Sequence, residues 1–297
     1  MGEDERAALR TLAERLPSAG DDAAVVDGHV LTTDMLHETT DFPTGTTRYT
    51  AGWRAVGASL SDVAAMGAVA TAAVAVYGDE TFDADALGAF VDGACDVCAA
   101  VDAEYVGGDL DEHREFTVAT TVLGDLAGEE PVYRSSASPG EAVCVTGELG
   151  RSAVGFRAFD AGDAERGNEL FRFVPRVAAG RALAPHATAM MDSSDGLARS
   201  LHQLAEASDC GFAVEEAAVP LHAGVAEFAD TDAERRELGL YFGEDFELVF
   251  TVPESALPTV RARAPVKVTR IGRVTPAEAG LTLDDEALPD RGFTHGT

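Results

Sequence analysis

Five aspartates of this chain lie in settings that are unusual for surface residues. Asp34, Asp62 and Asp109 follow apolar or glycine-rich runs, whereas Asp192 and Asp195 bracket a pair of serines. Carboxylates at the ends of buried elements are placed to bind ligands, and their oxygens are the donors that Mg²⁺ prefers. Most of the 52 acidic residues are expected on the solvated surface. We therefore treat these five aspartates as candidate metal ligands.

A short hairpin is predicted to add further carboxylates to the same place. The pair Asp27-Gly28 lies between two apolar runs, which is a strong signal for a two-residue turn. With that turn, Asp22 faces Thr33 and Asp21 faces Asp34, at about 5 Å between Cβ atoms. Carboxylates about 4 Å apart repel by about 4 kcal/mol at an effective dielectric constant of about 20, so protons or hard divalent cations must relieve the repulsion. The alternative is that the paired aspartates only cap a turn.

Two further segments have the character of phosphate-binding sites. Gly107-Gly108-Asp109 permits close approach of the backbone to a phosphate beside a carboxylate. Asp195 precedes a predicted helix, where backbone N–H groups could bind an anion, or where its side chain could instead act as the N-cap. Glu244 and Asp245 also follow the pattern of acids beside a glycine at the end of a predicted element, since they lie between Gly243 and a predicted strand.

The predicted elements place these residues in two α/β halves. Helices are predicted over residues 4–16, 50–66, 83–103, 152–160, 168–183 and 195–208. Strands are predicted over residues 23–26, 29–33, 71–77, 115–126, 141–146, 188–191, 212–219, 246–252, 266–274 and 281–283, with a short one leading into Gly107. Because the segment 134–140 is rich in serine, proline and glycine, we predict domains at residues 1–137 and 138–297.

The composition restricts the class of protein. The 22 basic and 52 acidic residues give a net charge of −30, Lys267 is the only lysine, and 46% of residues are hydrophobic. Such a chain can bury a core, but it lacks the basic surface that nucleic acids and anionic membranes require, so neither is predicted as a partner. A very salty cytosol, which screens self-repulsion, suits this charge. The four cysteines are too few for a disulfide scaffold and no signal segment is found, so a cytoplasmic location is predicted.

Taken together, the motifs resemble the thiamine-monophosphate kinase family, within the superfamily that includes aminoimidazole ribonucleotide synthetase. The matching segments, in order over nearly the whole chain, are Gly20-Asp-Asp-Ala-Ala-Val, Thr32-Thr-Asp-Met, Ser59-Leu-Ser-Asp-Val-Ala-Ala-Met-Gly67, Gly107-Gly-Asp109, Arg134-Ser, Pro139-Gly140, Val145-Thr-Gly, Met191-Asp-Ser-Ser-Asp-Gly-Leu197, Gly243-Glu-Asp-Phe-Glu-Leu248, Ile271-Gly-Arg and Gly292-Phe293. The resemblance implies a two-domain α/β (α+β) fold of the aminoimidazole ribonucleotide synthetase type. In it, an N-terminal sheet domain binds ATP and Mg²⁺ and forms a homodimer, and a C-terminal α/β domain follows. It also implies ATP-dependent phosphorylation of thiamine monophosphate to thiamine diphosphate.

The resemblance also implies three groups of ligand contacts. The implied magnesium positions are Asp22, Thr32, Thr33, Asp34, Asp62, Asp109, Asp192 and Asp195. The implied ATP contacts are Gly108, Asp109, Arg134 and Ser194, and the implied contacts to the thiamine moiety are Glu244 and Phe293. Where the family often has His-Phe this chain has Asp41-Phe42, and we assign Asp41 to the substrate site because an acid would attract the cationic thiazolium ring.

The expected mechanism is direct in-line transfer assisted by several Mg²⁺ ions, without a covalent intermediate. A phosphate monoester oxygen is largely deprotonated near neutral pH, so no protein residue is assigned as general base. Two alternatives stay open from the sequence. One is another ATP-dependent synthetase of the same superfamily, of the purine-pathway type, and the other is a non-catalytic, metal-stabilised acidic binding protein.

Overall fold

The computed structural model describes residues 15–16 and 19–293, so the helix predicted for residues 4–16 lies almost entirely outside the described residues. The N-terminal half contains β1 (Ala24–Val26), β2 (His29–His37), α1 (Glu38–Asp41), α2 (Arg48–Ala65), β3 (Val69–Asp79), α3 (Ala84–Ala99), β4 (Glu104–Glu112) and β5 (Thr117–Asp125). Its sheet has the order β1-β2-β5-β3-β4, in which β4 is an edge strand. The β3–β4 pair is parallel and the other pairs are antiparallel.

The β1–β2 hairpin has the predicted turn and register. Asp27 and Gly28 have φ values of 51° and 80°, the positive values that a two-residue hairpin turn of type I′ requires. The paired residues are Ala24 with Leu31, Val25 with Val30, and Val26 with His29, which confirms the predicted register. The ladder begins at Ala24, however, and Asp21 and Asp22 lie in the bend before it rather than in strand pairs with β2.

Helices α2 and α3 cover one face of this sheet and pack closely through two glycines. A Cβ atom added to Gly52 would lie 2.1 Å from the carbonyl oxygen of Phe90, and one added to Gly93 would lie 2.0 Å from that of Tyr49. Only glycine permits such an approach. This close packing fixes α2, the helix that carries Asp62, over the middle of the sheet.

The other face of the N-terminal sheet, here called the open face, exposes apolar side chains. In β2, Val30 is buried whereas Leu31 is exposed, as expected when one face is covered and the other is not. The large exposed apolar side chains of the open face include Leu31, Met35, Val74, Val76 and Leu123. A contiguous apolar surface of this kind is typical of an interaction site.

The C-terminal half is a seven-stranded sheet with helices around it. Its strands are β6 (Ala142–Thr146), β7 (Ala189–Asp192), β8 (Cys210–Val214), β9 (Leu248–Val252), β10 (Val268–Pro276), β11 (Leu281–Leu283) and β12 (Glu286–Ala287), in the order β12-β11-β8-β10-β6-β9-β7. Its helices are α4 (Arg151–Asp160), α5 (Ala164–Phe171), α6 (Val177–Leu183), α7 (Leu197–Ser208), α8 (Val225–Phe228), α9 (Asp232–Arg236) and α10 (Leu257–Arg263), with a π-helical turn at Glu237–Tyr241. Strands β6, β7 and β9 are buried throughout.

Two element predictions for this half are wrong. The single helix expected over residues 168–183 is two helices, α5 and α6, separated by an irregular segment that contains Pro175. Proline has no N–H to donate and disfavours a helical conformation of the residue before it. The strand expected over residues 212–219 ends at Val214, where a 3₁₀ turn follows.

The two halves share a continuous core. One hydrophobic cluster contains Val56 and Leu60 of α2 together with Met190 of β7 and Phe250 of β9. A Cβ atom on Gly180 of α6 would lie 2.0 Å from a carbonyl oxygen of α2, so these helices are in direct backbone contact. Helix α2 therefore extends into the C-terminal half and brings its side chains beside β7. Within the described ranges, no helix is both long enough and apolar enough to cross a membrane.

Candidate functional site

An acidic cavity of about 630 Å³ lies where the hairpin, α2, β7 and the start of α7 meet. Eight carboxylic residues line it, namely Asp21, Asp22, Asp34, Asp62, Asp192, Asp195, Glu206 and Glu244. Among the described residues, Arg134 is the one basic side chain in this lining. Such an excess of negative charge at one cavity favours a cationic ligand.

Three of these carboxylates converge. Asp22, Asp62 and Asp192 each offer one oxygen, and the three oxygens lie within 4.8 Å of one another. Asp22 comes from the bend before β1, Asp62 from α2, and Asp192 from the end of β7. The three positions were predicted from the sequence as metal ligands, and the fold brings them together from both halves of the chain.

The electrostatics of this cluster favour either protons or a cation. Burial, followed by the charge of Asp22, raises the pKa of Asp192 to about 8. Burial, followed by the charges of Asp34 and Asp192, raises the pKa of Asp62 well above its usual value. Oδ2 of Asp192 is buried and has no hydrogen-bond partner in the part of the chain that the structure describes. Because a buried oxygen without a partner is costly, this donor set fits a hard cation such as Mg²⁺.

Arg134 neutralises one end of the cluster. Its Nη2 and Nε atoms donate to the two carboxylate oxygens of Asp22 at 2.9 and 3.2 Å. Its backbone N–H donates to Asp21 at 3.2 Å. Burial, followed by the charge of Asp22, raises the pKa of Asp21 to about 6. The predicted ATP contact Arg134 thus lies directly beside the predicted metal ligands.

The three consecutive positions of β2 predicted at the metal site all line the acidic cavity, but their side chains do not all face the same side of the sheet. Thr32 is buried and donates to Asp62 at 2.5 Å, while Asp34 accepts from Ser59 at 2.8 Å. Burial raises the pKa of Asp34. Thr33, between them, has its side chain on the open face, because side chains alternate along a strand. Its hydroxyl donates to the carbonyl oxygen of Thr120 at 2.7 Å.

Ser194 and Asp195 line the acidic cavity just before α7. The N-cap of this helix is Gly196, with no side-chain capping bond, so the alternative in which Asp195 is the N-cap is wrong. Gly196 has φ 101°, and a Cβ atom there would lie 3.0 Å from the carbonyl oxygen of Leu240. Glycine is therefore needed at this turn, which holds the preceding serine and aspartate at the cavity.

Gly108 and Asp109 lie away from the carboxylate cluster within one chain. They line a separate groove of about 430 Å³ between α3 and β4. Strand β4 is three strands from β2 in the sheet, which corresponds to about 14 Å. Asp109 is exposed and is paired with Val76, whose side chain belongs to the open face. Paired residues share a face, so Asp109 is also directed to the open face.

A second cavity, of about 300 Å³, contains the three residues predicted to contact the thiamine moiety. Asp41, Glu244 and Phe293 all line it, together with the aromatic residues Phe156, Tyr241 and Phe242. Oδ2 of Asp41 accepts a hydrogen bond from the backbone N–H of His37 at 2.7 Å, which fixes this carboxylate. The backbone N–H of Phe293 donates to the carbonyl oxygen of Asp195 at 3.1 Å. Because Glu244 and Phe293 also line the acidic cavity, the two cavities adjoin.

The Gly243-Glu-Asp-Phe-Glu-Leu248 segment directs its three acids to three different places. Glu244 pairs with Arg54 of α2 at 2.5 Å. Asp245 accepts from the backbone N–H groups of Gly150 and Ser152 at the start of α4, and burial raises its pKa to about 7. Glu247 binds Arg176. The sequence analysis missed both arginines, although an arginine inside the apolar run of α2 was a signal that could have been used.

Matches to known families define the class of this fold and site. A family model described as AIR synthase related protein, N-terminal domain, matches residues 20–126, and one described as AIR synthase related protein, C-terminal domain, matches residues 138–284. Together they cover the N-terminal sheet, the C-terminal sheet except β12, and most of the lining of the acidic cavity, with Arg134 and Phe293 outside the matched ranges.

Relatives within this class are more specific. The thiamine-monophosphate kinase of Halobacterium salinarum is 61% identical over 292 residues, which cover 98% of this chain and 100% of that protein. The thiamine-monophosphate kinase of Methanospirillum hungatei is 40% identical, over 90% of this chain and 88% of that protein. A solved structure described as "AaThiL complexed with AMPPCP and TMP" has a TM-score of 0.87 and 25% identity, over 98% of this chain and 97% of that one. The chain belongs to the thiamine-monophosphate kinase family.

Proposed function

We propose that the protein transfers the γ-phosphoryl group of ATP to the phosphate of thiamine monophosphate, giving thiamine diphosphate and ADP. The relatives with this activity in their names align over nearly the whole chain, and the similar solved structure is described as a complex with AMPPCP and TMP. The observation that carries the proposal is the adjacency of two cavities, one with converging carboxylates and one with aromatic side chains and acids. A triphosphate with its cations fits the first, and a cationic ring fits the second.

We infer that several Mg²⁺ ions bind at the acidic cavity. Asp22, Asp62 and Asp192 would hold them, with Asp34, Asp195 and Thr32 at the edges of the same cluster. When bound, Mg²⁺ neutralises the phosphate charges that would otherwise keep two anionic reactants apart. The buried oxygen of Asp192 without a partner and the raised pKa values of Asp62 and Asp192 support this inference.

The other residues of the cavity would bind and orient the reactants. Arg134 and Ser194 line the acidic cavity where the ATP phosphates would lie. Glu244 and Asp41 would attract the thiazolium cation, and the exposed ring of Phe293 would pack against the heterocycles. The acceptor phosphate is largely deprotonated near neutral pH, so no residue has to remove a proton from it. Positioning and charge neutralisation are then sufficient for in-line transfer.

We further propose that the protein is a homodimer formed through the open face. The exposed apolar side chains of this face support pairing with a second copy. Thr33 and Asp109 both direct their side chains to it, and Thr33 also lines the acidic cavity, so pairing would bring Gly108 and Asp109 of one copy towards the acidic cavity of the other. This arrangement would account for the two predicted ligand positions that lie apart within one chain. A cytoplasmic location at high salt is consistent with the net charge of −30.

The decisive experiment measures ADP formation in molar KCl with thiamine monophosphate and Mg²⁺ each present or omitted. We expect ADP and thiamine diphosphate to form in equal amounts and only when both are present. ADP formation at the same rate with and without thiamine monophosphate would indicate a synthetase with another acceptor. Binding of ATP and Mg²⁺ without turnover would point to a non-catalytic binding protein, and either result would refute the proposal.

A further inference from the structure

Arg54 is a buried cation in the middle of α2, two helical turns before Asp62. Its side chain is 2% exposed, and its guanidinium carbon lies 3.5 Å from the centre of the Phe171 ring. The rings of Phe173 and Phe246 lie 5.5 and 5.3 Å from the same carbon. An arginine removed from water in this way is costly unless its donors are satisfied, so its partners must explain its presence.

Those partners all belong to the C-terminal half. Nη1 of Arg54 donates to the carbonyl oxygen of Phe171 at 2.5 Å. Nη2 donates to the carbonyl oxygen of Glu244 at 3.0 Å and to its carboxylate oxygen Oε2 at 2.5 Å. The planar guanidinium thus binds both the backbone and the side chain of Glu244, which a lysine could not do with the same geometry.

The backbone of Glu244 requires such support. Its φ is 63°, in the left-handed region that a residue with a side chain seldom adopts and that persists only when its surroundings impose it. The carbonyl oxygen of Glu244 also accepts from the hydroxyl of Ser152 at 2.6 Å, and its N–H donates to the carbonyl oxygen of Ser194 at 2.6 Å. Three elements therefore hold this residue between the two cavities.

The two carboxylate oxygens of Glu244 have different surroundings. Oε2 is bound to Arg54, and for the residues described the structure gives no hydrogen bond to Oε1. Glu244 lines both the acidic cavity and the aromatic cavity. The charge-assisted hydrogen bond from the buried guanidinium fixes the direction of the second carboxylate oxygen.

We propose that Arg54 is a positioning residue for the acceptor substrate: it holds Glu244 so that one carboxylate oxygen faces the cationic ring of the acceptor. This role rests on the proposed function, because it needs an acceptor with a positive charge next to Glu244. It predicts selectivity for such an acceptor over a phosphate ester with a neutral ring. Arg54 lines neither cavity, so it acts only through Glu244; because Glu244 is assigned to the acceptor, we expect a change at Arg54 to affect the binding of the acceptor and not that of ATP.

The test is steady-state kinetics of the Arg54→Met variant with thiamine monophosphate and with the neutral thiazole phosphate ester as acceptors. We expect KM for thiamine monophosphate to rise about tenfold or more, KM for ATP to stay within about twofold, and the preference for the cationic acceptor to shrink. Arg54→Lys should recover part of the loss because it keeps the charge. If Arg54→Met does not fold, Arg54→Gln is measured instead, with the same expected rise.

A double-mutant cycle separates positioning from general stability. If Arg54 acts through Glu244, the Arg54→Met/Glu244→Gln double variant should have nearly the same KM for thiamine monophosphate as Glu244→Gln alone. The matched control is Arg48→Met on the same helix, since Arg48 packs on Phe116 and pairs with Glu38 and Asp79 but does not contact Glu244. It should leave KM for thiamine monophosphate unchanged.

Two results would overturn the inference. One is an unchanged KM for thiamine monophosphate in a folded Arg54→Met or Arg54→Gln variant, and the other is full additivity in the cycle. Both are distinct from failure of the proposed function, in which the wild-type protein itself would show no phosphorylation of thiamine monophosphate.

Discussion

Asp62 and Asp192 belong to different halves of the chain, yet each places a carboxylate oxygen within 4.8 Å of the other. Asp192 is buried and Asp62 is half-buried between α2 and the end of β7. The carboxylate cluster therefore exists only while the two halves are docked through their common core. A cation bound there would connect the halves, so metal binding and the stability of the interface are expected to depend on each other.

The first prediction concerns the two aspartates themselves. We expect Asp62→Asn and Asp192→Asn each to lower turnover by about 10³-fold or more, because a metal ligand with charge is replaced by a neutral one. Since the amide has nearly the same size, circular dichroism and the melting temperature without metal should match or exceed those of the wild type. Near-normal turnover in both variants would contradict the assignment of the metal site.

The second prediction concerns pH and the metal-free protein. The folded state keeps a proton on Asp192 up to about pH 8, whereas the unfolded chain releases it near the usual carboxylate pKa. The folded state thus binds more protons between these values, so the free energy of unfolding should fall as pH rises from about 4 to about 8, by up to about 1.4 kcal/mol per pH unit for each such carboxyl group. Denaturant titrations with EDTA in molar KCl would measure this slope.

The pKa values of Asp62, Asp21 and Asp245 are also raised, so these residues contribute to the same pH dependence of the free energy of unfolding. Two comparisons test the contributions of Asp192 and of the metal site. Asp192→Asn should have a shallower slope than the wild type. Excess Mg²⁺ should also reduce the slope, because the metal binds the deprotonated carboxylates. A wild-type stability that rises between pH 5 and pH 8 without metal would contradict the description of the cluster.

Local sequence signals predicted much of this site. The turn at Asp27-Gly28 fixes the register of the first hairpin because both residues adopt positive φ, a requirement that Asn-Gly and Asp-Gly pairs satisfy. Of the aspartates selected by their local surroundings, Asp62 and Asp192 converge with Asp22 of the hairpin, whereas Asp109 lies inside β4 and lines a separate groove. The turn and the selection of each aspartate depend on a few neighbouring residues, whereas the meeting of the aspartates depends on the fold.

The features that the sequence analysis missed depend on distant contacts. Arg54 and Glu244 are 190 residues apart, and no local pattern indicates that they meet. No contact between the two predicted domains was inferred from the sequence, and the close approach at Gly180 shows how directly α6 packs on α2. The prediction that Thr32, Thr33 and Asp34 share the metal site also did not take into account that side chains alternate along a strand, which places Thr33 on the face opposite to Thr32.

The third prediction tests whether Asp109 acts in the site of the partner subunit. Asp109→Asn and Asp192→Asn should each be nearly inactive alone. If the residues of one site come from two copies, a mixed dimer has one site with both changes and one with neither. Random mixing makes about half of the dimers mixed, and each mixed dimer has one intact site out of two. Co-refolded protein should therefore regain about a quarter of wild-type activity.

The matched control for this experiment mixes Asp62→Asn with Asp192→Asn. Both residues lie in the same cluster of one chain, so every site keeps one change and no activity should return. If the Asp109→Asn mixture also stays inactive, Asp109 does not act across the dimer.

The fourth prediction concerns Phe293, a residue that is 36% exposed and lines both cavities. Phe293→Ala should raise KM for thiamine monophosphate by about two- to tenfold, the amount that one aromatic contact with a cationic ring contributes. Phe293→Trp should keep or improve binding, while KM for ATP should not change in either variant. An equal rise of KM for both substrates would indicate that the chain near Phe293 supports the whole site rather than the acceptor.

The last prediction concerns salt. With a net charge of −30, self-repulsion should destabilise the folded protein at low ionic strength, and molar KCl should raise the melting temperature because it screens these charges. Glu80, Glu112 and Glu115 line one exposed depression and provide a local test. The Glu80→Gln/Glu112→Gln variant should melt at a higher temperature than the wild type at low salt, and the difference should disappear in molar KCl. If the wild-type melting temperature does not change with KCl, the acidic surface does not destabilise the fold, and adaptation to a salty cytosol would lose its physical basis.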